Sequence, residues 1–276
     1  MATQSRRLLF LLGSPVVGVY AIHRGLTTLE ARYAALPADD STSSVALRTP
    51  GSPSTQHSPH IDIYSARIPV KALLARTNNP SDPKNSDNAT LSTVWAQSVF
   101  GSRIFRLEGR IFGLFAAERK FEPGDVGNTP EAFNPVSTNS DCTAGRDEGK
   151  RKLLHGALTV ERPPSLNSPH GLLVSWKMPD KPRIFFEKIA RWGYPWRLMS
   201  GGRHELSVSE PFMIPGRDEQ GPFVEVRFAS AHDYEIFSEE GELKDQKTIP
   251  GWSARLHRGY AMAILDRAVR ELMAGH

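Results

Sequence analysis

The run "GGRHELSVS" from Gly201 to Ser209 holds the residue best placed for proton transfer. Read as a strand, it puts His204 on one face with Leu206 and Val208. Arg203, Glu205, Ser207 and Ser209 take the other. An inward imidazole acts as a general base or as a hydrogen-bond donor. A core histidine satisfied by a backbone carbonyl is the competing reading. His232 continues the parity of Val224, Val226 and Phe228, which as strand would set a His204–His232 pair on one sheet face. The polar run "SAHDYE" nevertheless reads as loop. Trp176 shares a face with Leu172, Val174 and Met178. Trp192, Tyr194 and Trp196 suit a pocket mouth, a bilayer interface or plain core packing. Arg191, Arg197 and Arg203 lie around them and suit an acidic group on a ligand. The expected site is therefore His204 as catalytic group, with Trp176, Tyr194, Trp196, Arg197, Arg203 and His232 around a ligand.

Several chemistries lack their motifs. There is no G-x-G-x-x-G, no Walker loop, no G-x-S-x-G elbow and no H-E-x-x-H. No cofactor and no metal are expected. Cys142 is the only cysteine, which excludes an internal disulfide and a cysteine-rich zinc site. The net charge of +4 comes from 34 Lys+Arg against 30 Asp+Glu, interspersed along the chain. Nucleic acid, which needs a clustered basic stripe, is not an expected partner.

The elements that position these residues follow from patterning. Residues 1–36 form an N-terminal hydrophobic helix, apolar from Leu8 to Ile22 behind Arg6 and Arg7, with a capping-box pattern from Thr27 to Glu30. A single membrane anchor is the leading reading; a secretory signal and a mitochondrial presequence are the alternatives. Residues 37–60 are rich in Ser, Thr and Pro and read as a disordered linker. A folded domain over 61–276 follows, with loop inserts at 77–90 and 118–152. Its strands lie near 61–69, 153–163, 170–179, 203–209 and 221–230, and a helix covers 92–115 with breaks at Gly101 and Gly109. The segment 183–199 is either a short helix or irregular. The last helix places Leu256, Tyr260, Ile264, Ala268 and Leu272 on one apolar stripe. The fold class is α+β: a curved antiparallel sheet packed on a long C-terminal helix, with a cavity between them.

Four stretches carry a resemblance: "DIYSARIP", "WAQSVFGS", "GGRHELSVS" and "HRGYAMAILDRAVRELM". In this order they resemble the bacterial DUF2867 proteins, a group similar to the START/polyketide-cyclase (SRPBCC, helix-grip) superfamily. The resemblance covers residues 61–272. It implies a helix-grip fold with a ligand cavity, and a His-containing strand at Arg203–Glu205. It transfers no catalytic residue, and the membrane-type N-terminus departs from it. The expected function is a membrane-tethered domain binding a small hydrophobic molecule: a lipid, terpenoid or polyketide. Such a domain either carries the ligand or turns it over as a cofactor-free cyclase or isomerase. The alternative is a non-catalytic structural or lipid-carrier membrane protein.

Overall fold

The computed structural model describes residues 2–76, 87–115, 133, 150–154, 156–165 and 170–274. The inserts expected at 77–90 and 118–152 lie mostly outside the described residues. The elements are α1 (Ala2–Arg32), α2 (Val45–Arg48), β1 (Gln56–Pro69), α3 (Val70–Leu74), α4 (Asn88–Phe100) and α5 (Arg103–Phe115). They continue with β2 (Lys152–Leu153), β3 (Leu158–Arg162), β4 (Leu172–Lys177), α6 (Asp180–Arg191), β5 (Gly201–Val208), β6 (Phe223–Glu235) and α7 (Gly251–Ala274).

The six strands form one curved antiparallel sheet in the order β1-β6-β5-β4-β3-β2, with α4 and α7 on one face and the short α2 on the other: an α+β protein. Val94, Trp95 and Val99 of α4 close the apolar half of the inner face against Leu206, Val224, Val226 and Phe228. The Trp95 indole nitrogen donates to the Arg227 carbonyl at 2.9 Å, so the ring is buried without an unpaired polar atom. α4 ends at Gly101, as its sequence predicts, but α5 runs through Gly109 unbroken. Asp87 caps α4 by accepting from the Thr90 amide at 2.6 Å, so helix begins inside the expected insert.

α7 packs on β1 and β6 and is flanked by α1. Being covered on two sides, it buries Ala261, Met262, Ile264, Leu265, Ala268 and Leu272. The expected stripe is corrected in its first half, where Leu256 and Tyr260 are exposed. Tyr260 instead donates to Glu108 on α5 at 2.6 Å.

α1 is one continuous helix and does not restart at Thr27, whose hydroxyl donates back to the His23 carbonyl at 2.9 Å. Among the described residues, no helix is long and apolar enough to cross a membrane. That leaves the expected spanning helix without support from these residues.

The disordered linker expected over 37–60 is also corrected. Its first part covers the outer face of the sheet, and Gln56 opens β1. Leu47 is buried with Ile63, Leu173, Ala229 and Ala231. Arg203 makes a bidentate pair with Asp233 at 2.7 and 2.8 Å and donates to the Leu47 carbonyl at 2.9 Å and to Ser58 at 3.0 Å. Glu205 accepts from the Ser44 amide at 3.0 Å, from the Ser44 hydroxyl and from Arg162 at 2.7 Å. A hydroxyl-rich segment that looks too polar to order is held because it supplies partners to buried charges.

Candidate functional site

The inner face changes character toward the end of the sheet where β4 finishes and β5 begins. β6 runs on through His232 to Glu235, correcting the loop expected at "SAHDYE". Antiparallel register then sets His204 opposite Ser230, and His232 opposite Gly202 on one side and His60 on the other. Trp176 pairs with Gly202. A Cβ at Gly202 would lie 2.9 Å from the Trp176 indole and 2.4 Å from the Ala231 carbonyl oxygen. Only glycine lets the indole lie across β5 at this point. From α7, His257 brings its ring to 4.3 Å from that of His232, edge to face. Trp176 stands 6.3 Å from His232 on another side.

Four polar atoms on this patch are buried without a hydrogen-bond partner from the protein: Trp176 Nε1, His204 Nδ1, Ser230 Oγ and His232 Nε2. Ser230 is 1% exposed and His232 is 3% exposed. Buried polar groups are normally paired, so four orphans on one patch are a departure that calls for a cause. Burial, with His257 beside it, pushes the His204 imidazole down to about 3. Burial and then His257 push His232 down to about 2. Burial also lowers His257. The three rings are neutral near pH 7, offering N–H donors and lone-pair acceptors without charge. His204 as a residue is only partly buried, although its Nδ1 is enclosed.

Beside this patch, between α1, β1 and α7, lies a groove of about 310 Å³. Glu30, Tyr33, Asp62, Tyr64, Arg258 and Met262 line it. Asp62 pairs across β1 and β6 with Ser230, so the groove and the histidine patch are neighbours on the sheet face, although Trp176, His204, Ser230 and His232 do not line the groove. Burial pushes the Asp62 carboxyl upward, with Arg258 opposing. Glu30 is held by Arg255 at 2.7 Å, which keeps its carboxyl low.

The structure therefore divides the expected site residues. His204, His232 and Trp176 come together on the inner face. Arg203 lies on the opposite face inside its ion pair with Asp233. Arg197 is buried against Glu240 at 2.7 Å, with its guanidinium 3.4 Å from the centre of the Phe237 ring. Tyr194 and Trp196 form an edge-to-face pair at 5.3 Å in the segment after α6. The groove lies on the β1 side and is not lined by His204, where the cavity was expected. Sequence reasoning missed His257, Ser230, Asp62 and Arg258. The one usable signal was the alternation of β1, which puts Asp62 and Tyr64 on the inner parity. Among the described residues, no group of three or more His, Cys, Asp or Glu is arranged to hold a metal ion.

This geometry defines an α+β protein with a neutral, polar patch set into an otherwise apolar sheet face. No protein-family model matches the chain, and neither a curated protein nor a solved structure matches it.

Proposed function

We propose that the protein is a membrane-tethered domain that binds a small amphiphile, with a lipid, terpenoid or polyketide body and a neutral hydrogen-bonding head. The convergence of four unpartnered buried polar atoms on one patch carries this reading. A carbonyl on the ligand would accept from up to two of these groups, and a hydroxyl would accept from two and donate to a neutral imidazole nitrogen, while its apolar body lies along Tyr33, Tyr64 and Met262 in the neighbouring groove. The lie of α7 across β1 and β6 supports the helix-grip reading. The tether is α1, whose run from Leu8 to Ile22 follows Arg6 and Arg7. Its side chains Val17, Val19, Tyr20 and Ile22 project free of the rest of the protein.

Within this reading, carriage is favoured over turnover. An imidazole held near 3 is a weak base at neutral pH, far from the matched value that makes proton transfer efficient. It remains a good hydrogen-bonding group.

The test is native mass spectrometry of the full chain in detergent after exposure to a total lipid extract. A reproducible adduct is expected on the wild type and its loss on the His204→Leu/His232→Leu double variant. No adduct, or the same adduct on both proteins, overturns the proposal. Conversion of the released molecule by wild type, abolished in His204→Gln, would assign turnover instead of carriage.

A further inference from the structure

We infer that the folded domain carries its own bilayer-contact surface, built on α6 and the tryptophans that follow it, for an anionic phospholipid headgroup layer. It rests on the tether reading only for bringing the domain close to a bilayer. Most amphipathic helices in a folded protein turn their apolar stripe inward. α6 turns one outward. Lys181, Ile184, Phe185, Lys188 and Trp192 recur at helical spacing and all are exposed. Ile184 is 54%, Phe185 58% and Trp192 74% exposed. The Lys188 ammonium sits 5.2 Å from the centre of the Trp192 ring. Large apolar and aromatic side chains interleaved with cations on one face suit the headgroup boundary, where the rings enter and the charges meet phosphate.

Three observations place this face at the end from which α1 projects. First, Arg255 bonds Glu30 and Thr27, Gly259 abuts Leu26, and Asp266 bonds Arg32 and Tyr33. α1 and α7 therefore run parallel, and residues before about Tyr20 extend past Gly251, the first residue of α7. Second, Trp252, 64% exposed, stands on that same first turn. Third, the end of α6 is tied to the segment leading into α7. The Lys247 ammonium donates to the Ala190 carbonyl at 2.8 Å, and the Arg197 amide to the Thr248 carbonyl at 3.2 Å. Trp252 and the outward stripe of α6 thus form an aromatic rim at the end from which α1 projects. The exposed ammonium groups of Lys181 and Lys188 within the stripe fit an anionic headgroup layer. The patch of His204, His232 and Trp176 lies at the same end of the sheet.

The experiment reconstitutes the full chain in phosphatidylcholine/phosphatidylserine vesicles whose acyl chains carry bromine just below the headgroups. Two readouts are taken: resistance to alkaline extraction, which reports the α1 tether, and quenching of tryptophan fluorescence, which reports the rim. Quenching is expected in the wild type and most of it should disappear in Trp192→Phe/Trp252→Phe. It should also fall in Ile184→Glu/Phe185→Glu, while buried Trp95 stays unquenched throughout. An unquenched wild type, or quenching that persists in both variants, overturns the inference. An unquenched protein that resists extraction is tethered but stands off the bilayer. A quenched protein that is extracted has the rim without the anchor.

Discussion

The two faces of β5 and β6 treat buried polar groups in opposite ways. On the outer face Arg203, Glu205 and Asp233 are as buried as core residues, yet each is saturated with hydrogen bonds from the segment 37–55 and from neighbouring strands. One residue along in each strand, His204, Ser230 and His232 face inward with atoms that meet no partner. Burial is comparable; satisfaction is not. The same two strands therefore carry saturated buried polarity on one face and unsaturated buried polarity on the other, within a span of a few ångströms.

The comparison can be broken most sharply at Arg203. Arg203→Leu leaves Asp233 buried without its counter-ion and is expected to cost about 3–5 kcal/mol of stability in denaturant unfolding. A loss under about 1 kcal/mol would mean that the outer-face network is incidental.

Acid should act through the other face. His204 and His232 have folded values depressed to about 3 and about 2, below the 6.5 of an unperturbed ring. As pH falls below about 6.5 the unfolded chain takes up these protons and the folded one does not, so stability falls. The slope is about 1.4 kcal/mol per pH unit for each ring, continuing down toward the folded values. Asp62, whose carboxyl burial pushes upward, works the other way at the lower end of this range. The His204→Leu/His232→Leu variant should flatten the profile between pH 6 and 4.5, measured by urea midpoints. An unchanged slope would show that the rings are not buried in solution.

The smallest effect is expected from His232→Leu alone at pH 7. Removing an unpaired buried polar atom with retention of bulk should leave stability within about 1 kcal/mol of wild type, or raise it. A loss near that of Arg203→Leu would mean that His232 is as fully partnered as the outer face and would erase the contrast.

Much of the sheet was legible because alternation is local. The parity of "RHELSVS" and "FVEVRF" put His204, Val224 and Phe228 on the correct face from the chain alone. The rest depended on partners far away in sequence. "SAHDYE" reads as loop because Asp233 makes sense in a strand only with Arg203 thirty positions earlier. The Ser/Thr-rich segment reads as disordered because the groups it satisfies, Glu205 among them, belong to a strand far along the chain. Of the candidate site, His204, His232 and Trp176 were readable as a face. Arg203 reads as a ligand group because an arginine held by a distant carboxylate looks like a free one in sequence; the structure sets Arg197 against Glu240 and Phe237. Arg258 lies on the polar-looking side of α7, and only the packing of α1 against that helix makes it line the groove, while His257 meets His232 only because α7 lies across β6.

α1 carries a mechanical consequence. It runs without interruption from Ala2 to Arg32, and its last turns are pinned to α7 through Glu30, Arg32 and Tyr33. Whatever grips the leading half of that rod therefore fixes the height and heading of the whole domain, in the way a mast fixes a deck. The domain has no slack with which to swing, so the rim at its foot meets the same depth of its surroundings on every copy.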